Sequence, residues 1–444
     1  MSQKTRFFLF AALIAAAFVF RMIPALNVTD FPERFIRPDT PTYLEPARAL
    51  LEGGSIGTGR APGYILLAAF IRWLTGPHHQ FFLAFTGVLL SVFTIFPVYG
   101  GTKELFGKNA ALAGAFLYGF NLTVTANAPM LLSDTFFGLF AALQFFFFAR
   151  FYRKKKTSDF LLCIFFAATG TLIRPINLPW ILPALVLLWF CRGVSLRSKF
   201  LNSAAALAIS CAVILPWMAR NASVGAPWCI DTNTGAMVHQ NGAMILAEVR
   251  GSSYEAEKQK IIREYDTLFL DKKKFPDEKS RENWKMKRFR EIIAAHPLTA
   301  LKQHFNWHRI LLPDAPTFFE ILGLTKSDRG TMNILASKGL FAAVDHYFEG
   351  RLLLPAALLP LLFVTGITYL GTVIVLLWSL RHFRRRWYLW LLFLAFAEFY
   401  LFLPGPICAP RYQIPALPFM CAFAGAAVVL FLKNISSCIK KKGK

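Results

Sequence analysis

Long apolar runs separated by short polar clusters set the pattern of this chain. Runs at 7–26, 79–99, 109–128, 131–149, 159–173, 176–191, 200–218, 352–380, 387–404 and 411–432 approach or exceed the ~17 residues a helix needs to cross a bilayer. They predict an all-α polytopic membrane protein of about ten spans (8–13), with both termini on one side. A further apolar stretch, 63–75, is cut short by Gly76 and Pro77 and reads as an interfacial helix.

Polar sequence concentrates in two places. The first outer loop, 27–78, contains RPDTPTYLEPARALLEGGSIGTGRAPGY at 37–64. There Tyr43, Ala47, Leu50 and Leu51 recur at helical spacing, which predicts a short amphipathic helix stopped by Gly53 and Gly54. Pro62 suits the first turn of the next helix. Asp39 falls at the start of the short helix, where a carboxylate either caps first-turn N–H groups or stands free for chemistry. The second polar region, 219–350, carries amphipathic helical patterns at 253–270 and 277–297 and reads as a small helical cap. Ahead of them, the Gly-, Asn- and Thr-rich run 231–242 follows a span end at Pro216 and Trp217, and reads equally as a binding loop or a linker. The chain thus divides into 1–218, 219–350 and 351–444, the last three spans and basic tail forming the final part.

Composition excludes whole classes of function. At 55% hydrophobic residues, 46 Phe and a mean hydropathy of +0.46, the chain is too apolar for an ordinary soluble domain. The formal charge of +24 does not indicate nucleic acid, because Lys and Arg sit in short clusters between apolar runs. Lys4 and Arg6, Lys103 and Lys108, the 150–156 cluster, Arg192 to Lys199, Arg381 to Arg386 and the tail from Lys433 form one side, with only Glu104 and Asp159 among them. That side is expected to be cytoplasmic, which places Asp39 and 219–350 outside. The run at 7–20 resembles a signal peptide but lacks a small-x-small cleavage site, so it reads as a retained helix with Arg21 snorkelling to the far side. Seven Cys show no CxxC spacing, and neither a disulfide framework nor a Cys metal site is visible; Cys229 and Cys408 are the one pair that falls on the outer side, a weak candidate for pairing.

Charged residues recur where apolar runs meet the outer side: Asp134 in LLSDTFF, Arg174 in TLIRPIN, Arg220 in PWMARN, Arg351, and Arg411 in CAPRYQIP. A lone Arg at a helix end commonly snorkels, a reading that applies first to Arg351 and Arg21. Taken with Arg60, the group predicts an outward cationic pocket for a phosphate-bearing ligand. His78 and His79 lack a third spaced ligand and make a weak metal pair. No P-loop, GxGxxG or GxSxG is present, which argues against a soluble nucleotide donor.

Several ordered segments carry a family resemblance. Asp39, Tyr43, Leu44, Ala47 and Leu50 are followed by R-x-P-G-Y at 60–64, ELFGKNAALAGAFLYG, PMLLSDTFFGLFAAL, TLIRPINLPWILPAL, LPWMARNASVGAPWCIDTNTGAMVHQNG and RYQIPALPF. In this order the sequence resembles the GT-C glycosyltransferases that use polyprenyl-phosphate sugars, among them protein O-mannosyltransferases and lipid A aminoarabinose transferases. The resemblance implies a GT-C-like bundle and transfer of a hexose or pentose from undecaprenyl phosphate to an extracytoplasmic hydroxyl, on lipid A, another envelope glycan or a protein. It implies Asp39 as the catalytic base, Arg60, Arg174, Arg220 and Arg411 at the donor phosphate, and Tyr43, Tyr64, Asp134, Asn233 and Tyr412 around the substrates. No cofactor is implied; a divalent metal is a minor alternative, because Thr40 stands where relatives often carry a second acidic residue. The implied location is a bacterial inner membrane with the active site facing the periplasm. A secondary transporter, a lipid flippase and a non-catalytic scaffold are the competing readings; the transporter is disfavoured by the absence of an internal repeat.

Overall fold

The computed structural model describes residues 2–233, 235, 237–305, 312–325, 331–351, 353–405 and 409–442, and among these no strand occurs. The apolar runs are helical, as a chain in lipid must satisfy its backbone groups within each segment. Among the described residues, six helical stretches are long and apolar enough to cross a membrane: Gln3–Val28, Pro62–Phe106, Asp134–Lys154, Leu196–Ser223, Leu358–Leu380 and Leu417–Asn434. The protein is a multi-pass, all-helical membrane protein.

The other expected spans are shorter or broken, for local reasons. The run at 109–128 divides into α6 (Lys108–Gly119) and α7 (Leu122–Asn127), because the Asn121 side chain accepts from Val124 N–H and starts a new helix. The run at 159–173 becomes α9 (Thr157–Thr171). The run at 176–191 opens as a 3-10 turn over Pro175–Trp180, where Pro175 and Pro179 donate no N–H, before the helix Ile181–Phe190. The run at 387–404 is the helix Phe383–Phe396 followed by the π-helical turn Ala397–Phe402. The last helix begins at Leu417 and not at 411; Pro410 and Pro415 leave Arg411 and Tyr412 on an irregular lead into it.

The first outer loop is built as two helices, α2 (Pro41–Leu51) and α3 (Pro62–Thr75). Gly53 ends the first at φ 79°, and Gly76 ends the second at φ 57°, a backbone region open to glycine. At its start α3 touches the end of α9: Gly63 N–H donates to Leu172 C=O at 2.7 Å, and a Cβ on Gly63 would lie 2.9 Å from that same oxygen. This close approach sets Arg60, just before α3, near Arg174, just after α9. A second tie joins Leu131 N–H to Phe35 C=O at 3.2 Å, holding the first outer loop against the segment that leads into α8 (Asp134–Lys154).

Beneath the site, the last helix runs along α6 with little between the backbones. A Cβ on Gly425 would stand 2.4 Å from Ala110 C=O, and one on Gly114 2.9 Å from Cys421 C=O. Small residues of this kind let membrane helices approach closely. Trp180 stacks on Phe419 at 5.2 Å between centroids and on Tyr400 at 5.8 Å, closing the core under the outer helix ends.

Arg21 corrects a sequence expectation. It does not snorkel but is fully buried, donating to Ser91 Oγ at 3.1 Å and to the carbonyls of Tyr118 and Gly119 at 2.9 and 3.1 Å. Those carbonyls are at the C-terminal end of α6, where backbone acceptors lack intrahelical partners and suit a cation. In the outer region, helices occupy Tyr254–Leu268 and Glu278–Ala295, the latter opened by an Asp277–Ser280 capping box. Cys408 lies outside the described residues.

Candidate active site

Five charged side chains from five helix ends meet on one side of the bundle. Asp39 stands before α2, Arg60 before α3, Asp134 in the first turn of α8, Arg174 after α9, and Arg411 before the last helix. Asp39 Oδ1 accepts from Arg60 Nη2 at 3.1 Å, and Asp39 Oδ2 accepts from Arg411 Nη2 at 2.5 Å. Arg411 Nε lies 3.9 Å from Asp134 Oδ2, and Arg174 Nη2 lies 2.8 Å from that same oxygen. The order is therefore Arg60, Asp39, Arg411, Asp134, Arg174: an alternating chain with one cation in excess. Asp134 is 2% exposed, and a carboxylate at that depth needs such partners.

This geometry removes the simpler view of Asp39 as a helix cap. The first helical N–H groups of α2 receive no side-chain cap, and both Asp39 oxygens point to guanidinium groups. Arg60 is held in turn by Nε donating to Thr42 Oγ1 at 3.0 Å, with its guanidinium 5.2 Å from the Tyr43 ring centre. Arg174 Nε donates to Ser133 Oγ at 3.0 Å, and Ser133 Oγ pairs with the Tyr43 hydroxyl at 3.2 Å. Tyr64 meets Tyr43 edge to face, 5.2 Å between centroids, and supports it from behind.

A cavity of about 220 Å³ lies against this network. Asp39, Tyr43, Arg60, Arg174, Asn233 and Tyr412 line it, whereas Asp134, Arg411 and Tyr64 stand behind its walls. Arg220 lies elsewhere. It donates to Gly57 C=O at 2.5 Å and Ser55 Oγ at 2.9 Å, and covers the Trp217 ring at 4.9 Å, so it fastens the 55–57 loop and does not reach the cavity. Arg351 pairs with the exposed Glu349 at 2.6 Å, also away from it.

Sequence reasoning marked the 231–242 loop but missed two of its cavity residues, Asp231 and Gln240. Burial pushes the Asp231 carboxyl up to about 6, against the opposing pull of the Asn233 N–H and the Arg60 charge; Glu282 adds to the rise. Its only sequence signal is a carboxylate beside Thr and Asn in a loop leaving a span.

Both Asp39 oxygens and Asp134 Oδ2 face guanidinium groups, and among the described residues no three His, Cys, Asp or Glu side chains converge to hold an ion. His79 instead contacts Arg72 Nη1 at 3.2 Å and Gly76 C=O at 3.1 Å.

Fold and site together define a helical membrane protein with a cation-rich cavity built from helix ends on one side. Residues 59–218 match the family described as dolichyl-phosphate-mannose-protein mannosyltransferase. No curated protein matches the sequence significantly. Among solved structures, the apo oligosaccharyltransferase of Archaeoglobus fulgidus aligns over 99% of this chain and 52% of its own, at 15% identity and TM-score 0.53. The same organism's oligosaccharyltransferase AglB, in complex with an inhibitory peptide and a dolichol-phosphate, aligns over 100% of this chain and 52% of its own, at 13% identity and TM-score 0.51. This chain spans about half the length of those proteins. The likeness is one of fold: the chain shares the helical architecture of those oligosaccharyltransferases.

Proposed function

We propose that this protein is a membrane glycosyltransferase that moves a sugar from a polyprenyl phosphate, such as undecaprenyl phosphate, to an extracytoplasmic hydroxyl. The observation that carries the proposal is the convergence of Arg60, Arg411 and Arg174 on Asp39 and Asp134 beside one cavity. Guanidinium groups bind phosphate oxygens in bidentate fashion, and here they are already oriented by carboxylates and hydroxyls. The Archaeoglobus AglB complex with dolichol-phosphate, on the same fold, supports a lipid-phosphate ligand.

In the reaction, the acceptor hydroxyl oxygen attacks the anomeric carbon as its proton passes to Asp39. The bond from that carbon to the phosphate oxygen breaks, and the polyprenyl phosphate leaves with the electron pair. A single displacement inverts the anomeric carbon. Charge grows on the leaving phosphate, and Arg60 and Arg174 at the cavity, with Arg411 behind its wall, stabilise that charge without reorganising. Asp39 keeps lone pairs for the acceptor proton even with each oxygen bonded once.

In this reading the site faces the periplasm of a bacterial inner membrane and both termini are cytoplasmic, following the distribution of Lys and Arg. A transporter is less well supported, since the charges gather at helix ends and not along a midplane path. The test is transfer of radiolabel from an undecaprenyl-phosphate hexose or pentose by purified protein. Asp39→Asn is expected to lower turnover by about 10²–10⁴-fold while retaining undecaprenyl phosphate; wild-type turnover by that folded variant defeats the assignment.

A further inference from the structure

The cavity has two chemically different polar walls. One is the Arg–Asp chain. The other is made by Asp231 and Asn233, on the loop that follows the helix Leu196–Ser223, and by Gln240 in the π-helical turn Met237–Gly242. That loop is built into the fold. Thr232 N–H donates to Thr58 C=O at 2.9 Å, and the hydroxyls of Thr58 and Thr232 both donate to Glu278 Oε1 at 2.8 Å. Asn221 Nδ2 donates to the carbonyls of Cys229 and Ile230 at 3.0 and 3.1 Å, and Trp217 Nε1 to Ile230 C=O at 2.8 Å. These bonds fix the backbone on both sides of Asp231, so its carboxylate is a positioned group and not part of a slack linker.

Among the described residues, no cation pairs with Asp231, unlike Asp39 and Asp134; its one partner is the Asn233 N–H, at a long 3.4 Å. Its surroundings are mixed in sign: Arg60 on the loop before α3, Cys229 on its own loop, and on Glu278–Ala295 the residues Glu278 and Glu282, with Glu282 paired to Lys285 at 2.5 Å. A carboxylate accepts hydrogen bonds, while the Asn and Gln amides both donate and accept. Such a set matches several hydroxyls on one ligand, and Tyr412 adds a flat face to the same cavity.

We propose that Asp231, Asn233 and Gln240 form the acceptor subsite and that it takes a hydroxyl-rich, sugar-like acceptor, an inference that rests on the transferase reading above. Asp231 positions the acceptor by accepting from one of its hydroxyls, beside the Arg60–Asp39 pair that handles donor and proton. The carboxyl of Asp231 ionises near 6, so the stronger, charge-assisted bond is present above that pH and lost below it.

Wild type, Asp231→Asn and Asp231→Ala are compared with radiolabelled undecaprenyl-phosphate hexose as donor and a bacterial envelope extract as acceptor source. Undecaprenyl phosphate binding is measured on the same preparations. The expected result is label in a protease-resistant glycan or glycolipid, with both variants needing at least about tenfold more extract for half-saturation. Both retain wild-type affinity for undecaprenyl phosphate, which also reports a folded protein. The wild-type acceptor-dependent rate rises between about pH 5 and 7, and Asp231→Asn flattens that rise. If the Asp231 variants do not fold, Gln240→Ala provides the same half-saturation comparison. Unchanged half-saturation in folded variants overturns the subsite while the transferase stands. Label in protease-sensitive protein overturns the sugar-like acceptor. No transfer by wild type overturns the transferase reading and the subsite with it.

Discussion

Arg411 donates to Asp39 across 372 positions of sequence, Nη2 to Oδ2 at 2.5 Å, while its Nε faces Asp134 at 3.9 Å. One planar guanidinium thus links Asp39, which lines the cavity, to Asp134 behind its wall, and this linkage requires a fork. Lysine has a single ammonium on a flexible stem and cannot serve both directions at once. Arg411→Lys is therefore expected to lower sugar transfer by about 10²–10³-fold at saturating donor, the scale of removing one preorganised donor from a developing anion. Turnover measured by label transfer checks this; a variant within twofold of wild type would show that the link is dispensable.

The Arg174–Asp134 pair makes a different prediction, about stability. Asp134 is 2% exposed, and Arg174 holds it at 2.8 Å. Removing that cation leaves the buried carboxylate with only the longer Arg411 Nε contact at 3.9 Å, so Arg174→Gln is expected to cost up to about 3 kcal/mol. Neutralising both partners removes the stranded charge. The double variant Asp134→Asn with Arg174→Gln should recover a large part of that loss, although activity stays low. Unfolding in mixed micelles for the two single variants and the double variant measures the coupling.

Much of this was legible in the sequence because membrane chains write their fold in hydropathy, and because Asp39, Asp134, Arg60, Arg174 and Arg411 are charges at the ends of apolar runs. What hydropathy could not show was how those ends meet. The pairing of Asp39 with Arg411 depends on Pro410 and Pro415 holding the residues before Leu417 out of the helix, which an apolar window reads straight through. Arg220 and Arg174 carry the same sequence signature, an Arg at a span end, yet one ties down a loop and the other lines the cavity. Asp231 was obscured by its setting, since a helix distant in sequence, Glu278–Ala295, meets its loop through Glu278 and Thr232 and brings Glu282 near its carboxylate.

Arg21 tests whether a buried cation can be purely structural. Its three donations, to Ser91 Oγ and the Tyr118 and Gly119 carbonyls, tie the first helix to α4 (His79–Phe93) and to the end of α6. Arg21→Lys keeps the charge but not the fork, and is expected to cost roughly 1–3 kcal/mol. Thermal unfolding in detergent should show that loss. Affinity for undecaprenyl phosphate should remain at the wild-type value, since Arg21 lies outside the cavity.

Arg60 and Arg220 separate the phosphate site from its scaffold. Arg60 lines the cavity, donating to Asp39 and Thr42, so its loss removes a cation from the donor site directly. Arg60→Ala is expected to weaken undecaprenyl phosphate binding by roughly tenfold or more, on the scale of one charge-assisted hydrogen bond. Among the described residues, Arg220 reaches Gly57, Ser55, Asn221 and the Trp217 ring, and no cavity-lining group. Arg220→Ala should leave that affinity within about twofold, because a phosphate loses no direct partner. It should instead loosen the 55–57 loop, which proteolysis or hydrogen exchange over those residues would register as faster cleavage or faster exchange. Equal losses of phosphate affinity in the two variants would mean that Arg220 reaches the donor in the working protein, and would return it to the phosphate site.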